Sequence, residues 1–374
     1  MKITAAVINS VGRPRPYAES NPLTFEELDL DPPAEGEVLV RVRAAGLCHS
    51  DLSVINGDRP RPVPMALGHE AAGEVVEVGP GVRDLAPGDH VVMVFVPSCG
   101  HCPPCAEGRP ALCEPAAVSN TAGTLLGGGR RLRRPGQEVN HHLGVSAFAD
   151  YAVTSRRSLV KIDSRLPFAE AALFGCAVLT GVGAVINTAR VSAGCTVAVV
   201  GLGGVGLNSL LGAGLAGARQ IIAVDVHDEK LDLARRLGAT AAVNAREAGA
   251  VEQVKDLTGG GVDFAFEMAG SVRALDLAYR MTRRGGTTVT AGLPPPDEVW
   301  PAPAVNLVAE ERTVKGSYVG SSVPLRDVPR YIELYQRGKL PVDKLMGETL
   351  QLSEINSAFD RLASGLTGRQ VIIL

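Results

Sequence analysis

The chain has 374 residues, a length that corresponds to two domains at roughly 150 residues each. Hydrophobic residues make up 45% and charged residues 21%, which is typical of globular proteins and excludes the composition of disordered ones. Because 37 basic and 40 acidic residues leave a net charge of −3, no global positive field exists to hold nucleic acid or an anionic membrane, and a small-molecule partner is favoured.

Short strands dominate the prediction for the first half of the chain, up to about Asp163. Apolar stretches that Pro/Gly turns separate occur at Glu37–Val42, Glu74–Val78 and His90–Phe95. The glycine- and arginine-rich patch Gly127–Pro135 is predicted to be a solvated loop.

Neither a membrane span nor a secretory signal is expected. The chain enters its first strand-like pattern directly at Met1, without an apolar segment or cleavage site, so we expect a cytoplasmic protein. The uncharged stretches 171–189 and 191–218 are long enough to span a bilayer, but small and polar residues interrupt them and favour a buried core.

Four of the seven cysteines fall within a 15-residue loop: Cys99, Cys102, Cys105 and Cys113. Four sulfurs suit a closed tetrahedral structural zinc site, which leaves no position for substrate. An iron–sulfur run would place its fourth cysteine closer to the third, and redox thiols or unligated cysteines are further alternatives. In a reducing compartment this clustering indicates metal chemistry rather than a disulfide framework.

A second, dispersed set consists of Cys48, His69 and Cys176. Two thiolates and one imidazole can hold zinc and leave a fourth position for an alcohol oxygen. Taken one by one, the two cysteines could instead be buried apolar thiols and the histidine a core residue.

Three residues beside this set have suitable chemistry. Asp51 can accept the second imidazole N–H of His69, and Glu70 is an occasional or outer-sphere metal ligand. Ser50 is placed to take the proton of the substrate hydroxyl. This combination favours a catalytic zinc site over three unrelated core residues.

From about Gly194 the pattern changes to alternating strands and helices, which predicts a parallel, doubly wound sheet. Helices are predicted up to Ala216 and at Asp228–Leu237. The predicted strands are Thr196–Val200, Ile221–Val224, Ala241–Val243, Phe264–Met268 and Thr287–Thr290. The tail ends in a strand-like Gln370–Leu374 and is expected to fold back on the first half.

A glycine motif follows the first of these strands, and its candidate cofactor-binding residues are Gly201, Gly203, Gly204, Val205 and Gly206. Backbone N–H groups at the start of a helix favour a pyrophosphate there. Asp225, 19 residues after Gly206, has the spacing of an acid that binds a ribose diol. Because Asp225 would repel a 2′-phosphate and no arginine follows it, we predict NAD rather than NADP.

Together these motifs resemble the zinc-dependent medium-chain alcohol dehydrogenases, and the likeness covers nearly the whole chain. The resemblance implies an α/β protein with a GroES-like, β-rich catalytic domain and a Rossmann domain with a doubly wound parallel sheet. The expected limits are residues 1–176 with 321–374 for the former and 177–320 for the latter.

The resemblance also implies roles for single residues. Cys48, His69 and Cys176 look like the catalytic zinc ligands, and Ser50 like the first proton acceptor. The implied cofactor contacts are His49 and Arg369 on the pyrophosphate, Lys230 on the adenosine ribose, and Val205 and Thr180 behind the nicotinamide. Ser53 stands where several members carry a terminal relay histidine, so the last acceptor is His49 or water.

The expected activity is hydride transfer between a primary or secondary alcohol and NAD, with two zinc ions per chain. Oxidation of a formaldehyde–thiol adduct is an alternative, although Asp58-Arg59 and Glu114–Ala117 differ from the residues that bind such adducts. A zinc- and NAD-binding protein without turnover is the other alternative. The segment between Cys113 and Phe148 is similar to that of dimeric members, so we expect a homodimer, with a tetramer left open.

Overall fold

The computed structural model describes residues 1–365 and 368–374, which form two compact units. The first unit contains residues 1–176, 323–332 and 346–374, and the second contains residues 177–322 and 333–345. The predicted domain limits stay a prediction. They differ from these units chiefly at residues 333–345, which pack with the second unit.

The strands are, in chain order, β1 (Lys2–Ile8), β2 (Leu23–Leu30), β3 (Glu37–Gly46), β4 (Met65–Ala66), β5 (Ala71–Val78), β6 (His90–Met93), β7 (Leu132–Arg134), β8 (Gln137–His141), β9 (Tyr151–Ser155), β10 (Leu159–Ile162), β11 (Thr196–Val200), β12 (Gln220–Asp225), β13 (Ala241–Asn244), β14 (Val262–Glu267), β15 (Thr282–Thr290), β16 (Thr313–Gly316), β17 (Met346–Gln351) and β18 (Arg369–Ile373).

The α-helices are, in chain order, α1 (Tyr17–Ser20), α2 (His49–Ile55), α3 (Pro103–Ala106), α4 (Glu114–Ala122), α5 (Phe168–Ala172), α6 (Ala177–Gly183), α7 (Gly204–Leu215), α8 (Asp228–Arg236), α9 (Ala250–Thr258), α10 (Val272–Met281), α11 (Ala304–Ala309), α12 (Pro324–Gln336) and α13 (Ile355–Ser364). Helix α6 continues into a π-helical turn, Ala184–Ala189.

Two sheets form the first unit. Strands β1, β2, β7, β8 and β4 close into a barrel, and the second sheet has the order β10-β6-β5-β3-β18-β17, with β9 also paired to β3. Strand β18 runs antiparallel to β3, with Val371 opposite Gly46, so the C-terminus folds back on the first half as predicted. The β-rich architecture expected for this half is confirmed.

The patch Gly127–Pro135 differs from its prediction as a solvated loop. Its second half contains β7, which pairs with both β2 and β8, and Leu132 is buried in the barrel core. Arg131 makes a two-pronged ion pair with the buried Glu37. The composition suggested solvent exposure because it gives no sign of these barrel partners.

The second unit contains one sheet of parallel strands in the order β13-β12-β11-β14-β15-β16, which is the doubly wound Rossmann topology. All five residues of β11 are buried, as its apolar run predicts for a central parallel strand. Residues 333–345 join this unit because a short 3₁₀ helix with buried Val342 and Leu345 packs on α7.

Among the described residues, no single helix has the length and apolar composition needed to cross a bilayer. Only the adjacent pair Phe168–Gly175 and Ala177–Ala189, taken together, meets that criterion.

Candidate active site and metal centres

Cys48, His69 and Cys176 converge in the first unit. Their side-chain ligand atoms all lie within 4.8 Å of one another, and all three residues are buried. Cys48 ends the segment after β3 and precedes α2, His69 precedes β5, and Cys176 precedes α6. Three separate parts of the chain therefore supply the three side chains of the predicted ligand set.

The ring of His69 is oriented for metal binding. Its Nδ1 lies 3.0 Å from Asp51 Oδ1, and its Nε2 is buried without a hydrogen-bond partner. Because an ionised carboxylate only accepts hydrogen bonds, Nδ1 carries a hydrogen, and Nε2 is the ring nitrogen left to bind a metal. A buried nitrogen left unsatisfied in this way, beside two sulfurs, fits a zinc ligand.

Asp51 is fully buried and binds several donors. Its Oδ2 accepts from the Cys48 backbone N–H at 3.3 Å, and its Oδ1 accepts from the Gly68 backbone N–H at 3.3 Å. Burial opposes ionisation, but the His69 and His142 rings hold the pKa of Asp51 well below its usual range. The residue is therefore a carboxylate that fixes the orientation of His69.

The two thiols of the site differ in acidity. The contact with Cys176 lowers the pKa of Cys48 well below its ordinary value, against the effect of burial, and the His69 ring adds to this lowering. The same contact, together with burial, raises the pKa of Cys176. Cys48 is thus the more acidic thiol of the pair.

Glu70 and Arg369 form a buried ion pair beside this cluster. Arg369 Nη2 donates to Glu70 Oε1, while Glu70 Oε2 has no hydrogen-bond partner among the described residues. Burial raises the pKa of Glu70 to about 7, although Arg369 opposes the rise. Gly46 leaves the space for this pair, since a Cβ there would lie 2.9 Å from Oε1 and 3.2 Å from Nη2. The predicted roles of Glu70 at the metal and of Arg369 at the pyrophosphate stay predictions.

The four-cysteine loop forms the second candidate metal centre. The sulfurs of Cys99, Cys102, Cys105 and Cys113 all lie within 4.8 Å of one another. The Cys99 backbone N–H donates to Cys113 Sγ at 3.2 Å, and the Cys102 N–H donates to Cys99 Sγ at 3.3 Å. Such donors stabilise thiolates, and four sulfurs without an oxygen or water position fit a structural zinc ion.

We predict two zinc ions per chain, because the two clusters use disjoint ligands. Metal analysis of the purified protein should give a value near two, and Cys105→Ser should lower it to about one. Cys195→Ser is the control, since Cys195 belongs to neither cluster and its loss should leave both ions bound. A reproducible value near one for the unaltered protein would show that one centre has been misassigned.

The glycine motif begins directly after β11 and runs into the first turn of α7 in the second unit. Gly201 has a φ of +91°, and a Cβ there would lie 2.7 Å from the backbone nitrogen of Ala269. A Cβ on Gly206 would lie 1.8 Å from the Gly201 carbonyl oxygen, whereas one on Gly203 would meet nothing within 4 Å. Gly201 and Gly206 are therefore required by the close packing of the backbone, whereas Gly203 borders open space before the α7 N-terminus. This arrangement fits a bound pyrophosphate.

Asp225 lies at the C-terminal end of β12 and is anchored to the glycine loop. Its Oδ2 accepts from the Leu202 backbone N–H at 2.6 Å, and its Oδ1 accepts from the N–H groups of Val226 and His227 at 2.8 and 3.0 Å. The carboxylate is thus held by backbone groups in one orientation beside the loop, where the sequence predicts a ribose contact.

The predicted proton-relay residues lie on α2. The Ser50 hydroxyl is 3.8 Å from Cys48 Sγ and is half-buried, while His49 is exposed. Ser53 donates its hydroxyl to the His49 carbonyl at 2.9 Å, so a hydrogen bond to its own helix already occupies it. Ser50 therefore places a hydroxyl next to the ligand cluster, and its role as proton acceptor stays a prediction.

The remaining predicted cofactor residues all lie in the second unit. Thr180 is buried on α6, Val205 is half-buried in the first turn of α7, and Lys230 is half-buried in the first turn of α8. Their contacts with a cofactor stay predictions. Sequence reasoning missed His142, which approaches Asp51, although the adjacent pair His141-His142 was a visible signal.

Comparisons with known proteins agree with this geometry. Family models described as alcohol dehydrogenase GroES-like domain and zinc-binding dehydrogenase match residues 34–164 and 204–337. The chain is 38% identical to alcohol dehydrogenase class-3 of Drosophila melanogaster, over 95% of each chain. It is 36% identical to S-(hydroxymethyl)glutathione dehydrogenase of Paracoccus denitrificans, over the full length of both. The crystal structure of benzyl alcohol dehydrogenase from Acinetobacter calcoaceticus is similar at 34% identity and a TM-score of 0.93, over 100% of this chain and 99% of that one.

Proposed function

This chain belongs to the family of zinc-dependent medium-chain alcohol dehydrogenases, which use zinc and NAD, and we propose that it transfers hydride between a primary or secondary alcohol and NAD. One observation carries the proposal. Two buried thiols and the unpartnered Nε2 of His69 form a three-ligand set, which leaves a fourth zinc position for a substrate oxygen.

When bound, zinc would act as a Lewis acid on the substrate oxygen, and NAD would accept the hydride. The residues of the chain itself accept the proton, orient the metal ligand and bind the cofactor. Ser50 Oγ accepts the proton that the substrate hydroxyl loses while its own hydroxyl proton passes to His49 or water, and Asp51 keeps the His69 ring in its ligand tautomer. The backbone N–H groups after Gly203 bind the pyrophosphate, and Asp225 binds the ribose hydroxyls.

The activity test follows the absorbance of NADH with primary, secondary and aromatic alcohols, each measured with and without a chelator. We expect NADH formation with at least one alcohol and its loss on metal removal. The Paracoccus relative makes formaldehyde–thiol adducts the second substrate class to include. If metal-replete protein forms NADH with neither class, the chain is a zinc- and NAD-binding protein without turnover.

We predict that Asp225 sets the preference for NAD. A carboxylate donates no hydrogen bond and repels a 2′-phosphate, so catalytic efficiency should be higher with NAD than with NADP. Asp225→Ala should narrow the ratio of the two efficiencies by about 10- to 100-fold, the value of one or two charge-assisted hydrogen bonds. Asp228→Ala removes a neighbouring carboxylate that binds Asn244 instead, and the ratio should not change. Unaltered protein that prefers NADP would overturn this assignment.

We infer a homodimer built on the edge of the second unit's sheet. Strand β16 is the outermost strand of that sheet as described, and the nearby α11 exposes Val305 and Val308. An unpaired edge beside exposed apolar side chains favours pairing with a second copy. Val308→Lys should therefore produce monomers in light scattering. Val118→Lys alters a valine of similar exposure, 70% against 80% for Val308, within the 113–148 segment, and it should leave the dimer intact. The reverse result would assign the interface to that segment.

A further inference from the structure

His142 lies in a buried turn directly after β8, and none of the motifs described above includes it. Its Nδ1 is 3.2 Å from Asp51 Oδ1, the same oxygen that lies 3.0 Å from His69 Nδ1. The His69 and His142 rings meet edge to face, with 5.4 Å between their centroids and 89° between their planes. Two imidazoles therefore approach one carboxylate oxygen, and one of them belongs to the ligand cluster.

The backbone around His142 adopts a conformation that is costly to maintain. Leu143 and Ser146 have φ angles of +52° and +53°, a region that costs about 1–2 kcal/mol for residues other than glycine. The His142 backbone N–H donates to Ser146 Oγ at 2.9 Å, and the Ala147 N–H donates to the Gly68 carbonyl at 3.0 Å. The turn is thus closed on itself and attached to the residue that precedes His69.

The contact of His142 with Asp51 stabilises a buried charge. Asp51 is fully buried, and a buried carboxylate is costly unless donors surround it. The His142 contact is oblique, so it is an electrostatic contact rather than an aligned hydrogen bond. Because an ionised carboxylate oxygen only accepts hydrogen bonds, the Nδ1 of His142 that faces it presents an N–H. It occupies one side of Oδ1 and restricts how the carboxylate can rotate.

We propose that His142 is a positioning residue for the three-ligand metal site: it holds Asp51 Oδ1 in place and thereby fixes the ring of His69. The proposal rests on the proposed function only in taking Cys48, His69 and Cys176 as metal ligands. Partners of this kind typically contribute 10- to 100-fold to metal affinity. Because His142 acts through Asp51, we expect the lower end of that range, about tenfold.

The test uses two variants of the full-length, metal-loaded protein. His142→Asn keeps an N–H close to the position of Nδ1, whereas His142→Leu keeps apolar bulk and removes the donor. A chromogenic chelator reports the release of zinc from the two centres, and the four-cysteine centre is the internal control. We expect about tenfold faster release from the three-ligand site in the leucine variant, with release near the unaltered rate in the asparagine variant.

Cobalt substitution gives a second readout, because the d–d absorption of Co²⁺ responds to ligand geometry. The spectrum should change in His142→Leu and return in His142→Asn. If both variants release metal at the unaltered rate, or if both release it equally fast, His142 only fills the core and the proposal is wrong. Should the leucine variant fail to fold, His142→Gln takes its place, since its amide lies near Nε2 rather than Nδ1.

These measurements require no substrate, so they separate this proposal from the proposed function. If the protein binds metal at Cys48, His69 and Cys176 but oxidises no alcohol, the proposed function fails and the His142 test still decides the present proposal. A protein that holds no metal at this site overturns both.

Discussion

Replacing Ser50 with alanine should reduce the rate of alcohol oxidation by about 10²- to 10⁴-fold, the usual contribution of a positioned proton acceptor. Hydride can leave the substrate carbon only after the hydroxyl has lost its proton, and Ser50 Oγ is the hydroxyl beside Cys48 Sγ. The measurement is kcat at saturating alcohol and NAD. Metal content should stay unchanged, because Ser50 is not a ligand.

Ser53→Ala is the matched control on the same helix. The Ser53 hydroxyl donates to the His49 carbonyl one turn earlier, so its removal should leave kcat nearly unaltered. An equal loss in both variants would assign the effect to α2 as a whole and would contradict a specific role for Ser50.

His49→Gln distinguishes the two candidates for the next proton acceptor. His49 is exposed at the start of α2, which suits either a proton relay to solvent or a phosphate contact. As a relay residue, His49 contributes an ionisation to the pH profile of hydride transfer, and the glutamine variant should lose it. If the variant binds NAD more weakly but keeps the pH profile, water is the acceptor and His49 is a phosphate ligand only.

The sequence was sufficient wherever donor type and local spacing decide the structure. The cysteine loop is local, since Cys99 to Cys113 span 15 residues, and the glycine motif follows a strand and opens a helix that periodicity reveals. Asp225 ends its strand, at the position that the sequence predicted, and is anchored to Leu202. In these places, residues that are close in sequence form the site, so the sequence pattern alone is enough to predict it.

Contacts between distant parts of the chain could not be predicted in the same way. Glu70 and Arg369 are 299 residues apart, and the buried ion pair between them depends on β18 pairing with β3. His142 reaches Asp51 only because a turn with two left-handed residues brings it there, and no periodicity predicts such a turn. The ion pair of Arg131 could not be predicted for the same reason, since its partner Glu37 lies 94 residues earlier on β3.

Breaking the Glu70–Arg369 ion pair should destabilise the fold. Arg369→Leu should lower the free energy of unfolding by about 3–5 kcal/mol at pH 8, the usual cost of leaving a buried charge unpaired. Glu70 is fully buried and its Oε2 has no hydrogen-bond partner among the described residues, so the Arg369 guanidinium at Oε1 is the main group that offsets its charge. Arg235→Leu is the control, because Arg235 and its partner Asp232 are both more than half exposed. That variant should lose no more than about 1 kcal/mol. Denaturant unfolding of the metal-loaded protein without cofactor measures both.

The stability lost in Arg369→Leu should depend on pH, because the charge of Glu70 depends on pH. The pKa of Glu70 in the folded protein is raised to about 7, above its ordinary value of 4.5, because burial disfavours the charged form. A carboxyl group whose pKa is raised in the folded state binds its proton more tightly there than in the unfolded chain. Glu70 therefore lowers the free energy of unfolding as the pH rises above about 4.5. Without Arg369 the pKa rises further, so at pH 5 Glu70 is protonated and its unpaired charge is absent. The loss in Arg369→Leu should therefore be small at pH 5 and grow towards pH 8.

The double variant Glu70→Gln/Arg369→Leu completes the argument. With both charges removed, most of the stability lost in Arg369→Leu should return, and its dependence on pH should disappear. If the double variant is as unstable as Arg369→Leu at every pH, the loss comes from the packing of the arginine stem against its neighbours and not from the carboxylate. The recovery at pH 8 therefore decides whether Arg369, whatever it contributes to cofactor binding, also serves to make a buried Glu70 tolerable beside the metal ligands.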